Sequence, residues 1–286
     1  MSAYKRITVS PVSGALGAEV SGVDLANLDD ETFDELYRAW LAHQVIFLRD
    51  QSITPEQQVA FAERFGDIHY HPFMKGLDKH PEILEIVRQP GDSYTFGDVW
   101  HTDQMFTPTP AKATMLYALE TPDAGGDTMF TNLYLGHDTL SEPMRDMLKN
   151  VKTWNSGNSP NRSDGRARLD RYGGNAQMSA KLKDPGNQIT ETAHPIIRTH
   201  PETGKKALYI GNHTQSLEGF ADAEAKPLID FLMSHATRPD FTCRFRWAPG
   251  SMAIWDNRCT QHLALADQIT GQRRMHRITI TGDKPV

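Results

Sequence analysis

The chain has 286 residues, a formal net charge of −6 and 38% hydrophobic residues, enough for a full core. Its acidic balance disfavours a nucleic-acid binder, which would carry a basic patch, and no apolar run approaches the roughly 20 residues of a membrane span. The N-terminus lacks the apolar stretch of a signal peptide, and two cysteines are too few for a disulfide framework. We therefore expect one domain over residues 1–286 in a cytoplasmic protein without nucleic-acid or membrane partners.

The N-terminal part of the sequence predicts strands alternating with helices. A short strand is expected over residues 4–9. An amphipathic helix begins at Asp29 or Asp30, because apolar residues recur there at helical spacing. A buried strand follows at residues 45–48. Thr54 then provides the N-cap of a second helix, with proline at its first position.

From about residue 94, short apolar or alternating runs are separated by Gly, Pro, Asn and Asp. Many short strands with such turn signals predict a mainly β sandwich or jelly roll with flanking helices. The expected strands lie near 95–106, 112–120, 127–131, 193–198, 206–210, 241–247, 252–256, 260–265 and 274–281, and the helices near 141–149 and 222–236. The polar, Gly-rich stretch 155–190 is either a surface loop or a mobile active-site lid, and we favour the lid.

The segment Trp100-His101-Thr102-Asp103 carries the strongest chemical signal. If it is a strand, His101 and Asp103 point to the same side, with Cα atoms roughly 6.5 Å apart. One imidazole and one carboxylate are two thirds of the facial triad that binds non-haem Fe(II). A single such pair is most often incidental, so a third ligand is needed.

His262 is the best candidate for that third ligand, although it could instead be a core histidine satisfied by a neighbour. A predicted strand follows it, on which Arg273 and Arg277 share one face. Two arginines facing a β-barrel interior are unfavourable unless they meet anions. Because a guanidinium group matches a carboxylate bidentately, the pair predicts a dicarboxylate cosubstrate and a second anion.

Six motifs, in order and over nearly the whole chain, resemble the taurine/2,4-dichlorophenoxyacetate dioxygenase (TauD/TfdA) family. They are FGDIHYHP (65–72), WHTD (100–103), GGDT (125–128), HPIIRTHPETGKKALYI (194–210), WDNRCTQH (255–262) and QRRMHRITITGDKP (272–285). The resemblance implies a double-stranded β-helix, a cupin-like jelly roll. It also implies an enzyme that uses Fe(II), 2-oxoglutarate and O2 to hydroxylate a small anionic substrate, releasing succinate and CO2. A homo-oligomer, dimer or tetramer, is implied as well.

The resemblance assigns roles residue by residue. The residues that match its iron ligands are His101, Asp103 and His262. Thr128 and Arg273 match the partners of the distal carboxylate of 2-oxoglutarate, and His71 and Arg277 match residues that hold the anionic group of the substrate. Trp255 matches an aromatic residue near the site, although core packing would explain it equally well.

The sequence departs from the taurine enzymes on the substrate side. Met74 replaces a tyrosine near the taurine amine, and Gln104 follows the ligand aspartate where a small apolar residue is expected. Met74, Met105 and Phe106 indicate a substrate with an apolar body, unless they are ordinary core residues. A sulfonate, an alkyl sulfate or an aryloxy or carboxylic acid would fit.

Two other functions remain open from the sequence. The same three ligands could hold a metal in a cupin-like protein without turnover. A 2-oxoglutarate oxygenase could also desaturate its substrate instead of hydroxylating it. Halogenation is disfavoured, because it needs a vacant ligand position where Asp103 stands.

Overall fold

The computed structural model describes residues 4–158 and 172–286 and confirms a mainly β fold with flanking helices. The strands are β1 (Thr8–Pro11), β2 (Ala18–Ser21), β3 (Val45–Leu48), β4 (Leu84–Arg88), β5 (Ala111–Glu120), β6 (Thr128–Asn132), β7 (Lys152–Ser156), β8 (Glu191–Pro195), β9 (Ile197–Thr199), β10 (Lys206–Leu208), β11 (Thr214–Leu217), β12 (Thr242–Phe245), β13 (Met252–Asp256), β14 (Thr260–Ala264) and β15 (Arg273–Thr281). The helices are α1 (Asp30–His43), α2 (Pro55–Glu63), α3 (Leu133–Asp138), α4 (Glu142–Leu148), α5 (Ala176–Ser179) and α6 (Asp222–Ala236).

The two N-terminal helices begin at the caps that the sequence predicts. The Asp29 carboxylate accepts the Thr32 N–H at 2.8 Å, which starts α1. Thr54 and Gln57 form a reciprocal capping box at the start of α2. Such caps satisfy N–H groups that have no partner within a helix, so local sequence is enough to place both helix starts.

Two facing sheets enclose the interior of the jelly roll. The larger has the strand order β1-β2-β3-β13-β5-β15-β4, and the smaller has the order β12-β6-β14. Phe47 of the larger sheet stacks on Phe245 of the smaller one, with ring centroids 4.1 Å apart. Phe130 of the smaller sheet packs 5.5 Å from Trp255 of the larger one. These aromatic contacts fill the space between the sheets.

Alternation along the strands gives the larger sheet two apolar faces. Trp255 and Met275 belong to the interior cluster between the sheets, whereas Ile254 and Ile278 belong to a cluster on the other face, with Trp40 of helix α1. Since successive side chains point to opposite faces, Arg273 and Arg277 take the side of Met275. The sequence prediction that these arginines face inwards therefore agrees with the structure.

The predicted strand at 95–106 is wrong. Only an isolated bridge from His101 to His262 forms there. Gly97 has φ 83° and Gln104 has φ 53°. Left-handed residues at both positions turn the backbone away from a regular strand, so this segment is a loop that lies against β14.

Several other predicted boundaries also change. The strand expected at 4–9 lies at Thr8–Pro11, and the one expected at 193–198 is divided into β8 and β9. Strands β2, β4, β7 and β11 and helix α3 were not predicted. Within the described residues, no helix has both the length and the apolar composition needed to cross a membrane.

Of the predicted lid at 155–190, residues 159–171 lie outside the described residues. The described flanks pack against the body of the protein. The Asn175 side chain donates to the Val87 carbonyl at 2.8 Å, and Met178 is fully buried. Strand β7 also extends into the predicted segment, as far as Ser156.

Candidate metal centre and active site

Backbone pairing brings two histidines together. The His101 N–H donates to the His262 carbonyl at 3.1 Å, and the His262 N–H donates to the His101 carbonyl at 2.9 Å. The ring centroids are 4.0 Å apart as a result. One pair of backbone hydrogen bonds thus brings His262, the predicted third ligand, beside His101.

Asp103 completes a compact set of possible metal ligands. Its Oδ1 lies 3.6 Å from His101 Nε2 and 3.8 Å from His262 Nε2. The ligand atoms of the three residues all lie within 4.8 Å of one another, and all three residues are buried. The sequence prediction that distant segments converge here agrees with this geometry.

The two histidines are oriented by different means. His101 Nδ1 lies 2.7 Å from the Val99 carbonyl. Because a carbonyl only accepts, Nδ1 carries a proton, and in the neutral imidazole the Nε2 lone pair is directed towards Asp103. Among the described residues, His262 Nδ1 has no hydrogen-bond partner. The ring of His262 is held by packing instead, with the Trp255 ring 4.5 Å away.

The electrostatics of the site favour metal binding. Burial raises the pKa of Asp103, but the positive charge of Arg277 outweighs that effect, and the pKa of Asp103 lies well below its usual value. Burial, reinforced by His101, places the pKa of His262 well below its usual value, despite the opposing charge of Asp103. An ionised carboxylate and a neutral imidazole are the forms that bind metals, and the donor set fits the facial triad of non-haem Fe(II).

Arg273 and Thr128 line the same cavity as the three possible ligands. Arg273 Nε donates to the Gly126 carbonyl at 2.9 Å, and its guanidinium lies 5.6 Å from the Trp247 ring centroid. The Trp247 indole N–H donates to Thr128 Oγ1 at 3.0 Å, so the Thr128 hydroxyl keeps its own proton for another acceptor. Burial, together with Arg88, lowers the pKa of Arg273 to about 10. An anion between Arg273 and Thr128 would offset this.

The GGDT motif has a steric explanation at this cavity. Gly125 and Gly126 both have positive φ angles, 85° and 73°. A Cβ at Gly125 would lie 2.3 Å from the Gln268 carbonyl oxygen, and one at Gly126 would lie 2.9 Å from Arg273 Cδ. Only glycine allows the backbone to approach Arg273 this closely.

A second cavity shares part of its lining with the first. His101, Asp103 and Arg277 line it, and Arg277 Nη2 lies 2.8 Å from Asp103 Oδ1. His71 lines it too, and its Nδ1 accepts the Phe73 N–H at 3.1 Å. Its apolar wall is aromatic and consists of Phe73, Tyr94, Phe96, Phe106 and Tyr172.

Gln104 and Met74, the two predicted departures from the taurine enzymes, differ in position. Gln104 lines the second cavity, and its side-chain amide has no hydrogen-bond partner among the described residues. Met74 lines neither of these two cavities. It belongs to the interior core cluster and faces a smaller neighbouring cavity with His71 and Arg277.

The sequence reasoning missed several residues of the site. Trp247 supports both Arg273 and Thr128, and Tyr94 and Tyr172 shape the second cavity. No spacing rule links these residues to the motifs, so only their contacts identify them. Trp255 has both of the roles considered for it, since it fills the core and lies beside His262.

Two imidazoles and one carboxylate inside a jelly roll are the donor set of mononuclear non-haem iron oxygenases. The family model described as "Taurine catabolism dioxygenase TauD, TfdA family" matches residues 8–279. The chain belongs to this family.

Similar proteins support the same class. An alpha-ketoglutarate-dependent sulfate ester dioxygenase of Pseudomonas putida is 33% identical, over 98% of this chain and 91% of its own length. An (S)-phenoxypropionate/alpha-ketoglutarate-dioxygenase of Sphingobium herbicidovorans is 31% identical, over 96% and 95%. The crystal structure of a taurine dioxygenase from Burkholderia xenovorans superimposes with a TM-score of 0.82 at 35% identity, covering 99% of this chain and 91% of that one.

The chain is therefore a dioxygenase that depends on 2-oxoglutarate, which is alpha-ketoglutarate, and requires Fe(II) and O2. This confirms the predicted enzyme class, cosubstrate and metal. It also sets aside the alternative of a metal-binding protein without turnover.

Proposed function

We propose that His101, Asp103 and His262 hold the Fe(II), and that Thr128 and Arg273 bind the distal carboxylate of 2-oxoglutarate. The bound metal, cosubstrate and O2 supply an oxidative decarboxylation, to succinate and CO2, that is coupled to oxidation of a substrate C–H bond. The buried position of Arg273 supports this assignment, because a buried guanidinium is stabilised by an anion.

The substrate of the proposed reaction is a small organic anion that occupies the second cavity. Arg277 and His71 bind its charged group, while Gln104 contacts a polar atom near the carbon that is hydroxylated. A sulfonate, an alkyl sulfate, or an aryloxy or carboxylic acid has the required charge. The aromatic wall favours a substrate with an aryl or other extended apolar body over a short one such as taurine. Met74 shares an apolar cluster with Tyr94 and Tyr172 of this wall, and we assign it an indirect effect on substrate binding.

The protein residues position the reactants and exclude water. Phe96 and Arg277 line both cavities, so they separate the proposed cosubstrate side from the proposed substrate side. The aromatic rings that line the second cavity limit the access of solvent to the reacting carbon. A C–H bond next to the anionic group would then be held at a fixed distance from His101 and Asp103.

One observation carries the proposal. Two buried arginines, four residues apart on β15, reach cavities that both include His101 and Asp103. Arg274 lies between them, points to the other side of the strand and pairs with Glu85 and Glu120. The inward arginines thus provide separate positive charges for two anions.

We also propose a domain organisation, a location and an assembly state. We assign residues 1–286 to one domain, and the described residues Gly157 and Tyr172 of the predicted lid line the second cavity. The protein acts in the cytoplasm as a homo-oligomer, a dimer or tetramer. Sedimentation of the purified enzyme measures this assembly state directly.

A succinate-release screen with Fe(II), 2-oxoglutarate and O2 tests the function. We expect aryl sulfonates, alkyl sulfates or aryloxy acids to stimulate succinate formation, and their uncharged amides or alcohols to have little effect. His262→Ala should reduce succinate to background, whereas Arg274→Ala, the matched control on the outer face of β15, should behave like wild type. Equal stimulation by charged and uncharged compounds would contradict the proposal. Isotopically labelled O2 distinguishes hydroxylation, which places label in the product, from desaturation.

A further inference from the structure

The two carboxylate oxygens of Asp103 have different surroundings. Oδ1 faces His101, His262 and Arg277. Oδ2 accepts a hydrogen bond of 2.7 Å from the Thr114 hydroxyl. One oxygen is thus directed at the proposed metal position, and the other is held by the protein.

Thr114 and Asn257 close a hydrogen-bonded ring on Asp103. Asn257 Nδ2 donates to Thr114 Oγ1 at 2.9 Å, and Asn257 Oδ1 accepts the backbone N–H of Asp103 at 3.2 Å. Asn257 Oδ1 also accepts the Trp255 indole N–H at 3.1 Å. Both Thr114 and Asn257 are fully buried, so water does not compete for these contacts.

The direction of every proton in this ring is determined. A backbone N–H and an indole N–H can only donate, so the Asn257 atom between them must be its oxygen. Its NH2 group therefore faces Thr114. Because the Thr114 oxygen accepts that bond, its single hydroxyl proton is left for Asp103 Oδ2.

We propose that Thr114 and Asn257 are positioning residues that make Asp103 bind the metal through Oδ1 alone. The proposal rests on the assignment of His101, Asp103 and His262 as the ligands. A facial triad keeps three positions open for the other reactants. A carboxylate that binds through both oxygens would take one of them, so the ring preserves a position that the reaction needs.

The ring lies in the rigid part of the fold. Thr114 is in β5, which pairs with β13 on one side and β15 on the other. Asn257 follows the last residue of β13 directly. Asp103, by contrast, lies in the loop at 95–106, which has no strand of its own. Residues on the sheet therefore hold the Asp103 carboxylate in place, which the loop alone does not do.

Titration of the metal-free enzyme with Mn(II) tests this inference without turnover. Thr114→Val removes the hydroxyl at constant shape and should weaken Mn(II) affinity by about 10- to 100-fold. Thr114→Ser keeps the hydroxyl and should restore affinity close to that of wild type. Asn257→Ala should give an intermediate loss, since Thr114 can still donate to Asp103. The visible spectrum of the Co(II)-loaded Thr114→Val enzyme should differ from that of wild type.

The outcomes separate this inference from the ligand assignment. If wild type does not bind Mn(II), or if His262→Ala binds it equally well, the ligand set is wrong. If wild type binds and both Thr114 variants match it, the positioning role is wrong, even where thermal stability falls. A loss in Thr114→Ser equal to that in Thr114→Val would also overturn it. Should Thr114→Val fail to fold, an Asn257→Ala enzyme with wild-type affinity and Co(II) spectrum would reject the proposal.

Discussion

Among the described residues, two buried groups look alike as possible metal sites. One is His101, Asp103 and His262, and the other is His200, Asp256 and Cys259. Each combines histidine with a carboxylate, and all six residues are buried. Residue type and burial do not distinguish them, but their hydrogen bonds do.

In the second group, the lone pairs are already used. His200 Nδ1 accepts the backbone N–H groups of Glu202 and Thr203, so Nε2 carries the proton and donates to Asp256 Oδ2 at 3.0 Å. Arg258 binds both oxygens of Asp256, at 2.8 Å and 2.7 Å. In spite of its burial, Asp256 has a lowered pKa because of Arg258.

In the first group, the nitrogen lone pairs remain available. His101 Nδ1 donates its proton to the Val99 carbonyl, and Nε2 is directed at Asp103. The unused imidazole lone pairs therefore favour the first group as the proposed metal site, although residue type and burial are similar in the two groups. The second group is a structural ion-pair network that anchors the segment before β14.

Loss of the Arg258 cation should affect stability and not metal binding. Arg258→Met should lower the free energy of unfolding by about 3–5 kcal/mol, because it leaves the Asp256 carboxylate buried without its cation. Chemical denaturation measures this loss. Mn(II) affinity should stay close to that of wild type, whereas His262→Ala should lose Mn(II) binding. Arg258→Met with full stability and no Mn(II) affinity would reverse the two roles.

The two inward arginines beside the first group should act on different ligands. Arg273→Ala should raise the KM for 2-oxoglutarate, and Arg277→Ala should raise the KM for the primary substrate. Each variant loses one charge-assisted contact, which contributes about 2–4 kcal/mol. This loss corresponds to a roughly 30- to 1000-fold lower affinity for the ligand. Steady-state kinetics with Arg274→Ala as the control measures both constants. Equal effects of the two variants on both ligands would refute the division of roles.

The smallest effect concerns Gln104, whose buried amide has no protein partner among the described residues. Gln104→Leu should stabilise the free enzyme by roughly 1 kcal/mol, since it removes an unsatisfied buried polar group. It should also raise the KM for the substrate without changing that for 2-oxoglutarate. Thermal unfolding and kinetics check the two parts, and a less stable variant with an unchanged substrate KM would show that Gln104 is structural.

Local patterns in the sequence were enough for much of the fold. Asp29 and Thr54 start their helices as predicted, because a cap is formed by residues three positions apart. The inward side of Arg273 and Arg277 follows from strand alternation alone. The motif resemblance identified the family and the candidate ligands, since those motifs carry the chemistry in chain order.

Only the tertiary structure decided how the site is assembled. Two backbone hydrogen bonds join His101 to His262. The segment that contains His101 is a loop, although the sequence predicts a strand there. The tertiary structure also places Met74 in the core and Trp247 against Arg273, and it brings Thr114 into hydrogen-bonding contact with Asp103. The physical reason is the same in each case. These contacts join residues that are distant in the chain, and their energies depend on burial and on hydrogen-bond direction, which periodicity and spacing do not encode.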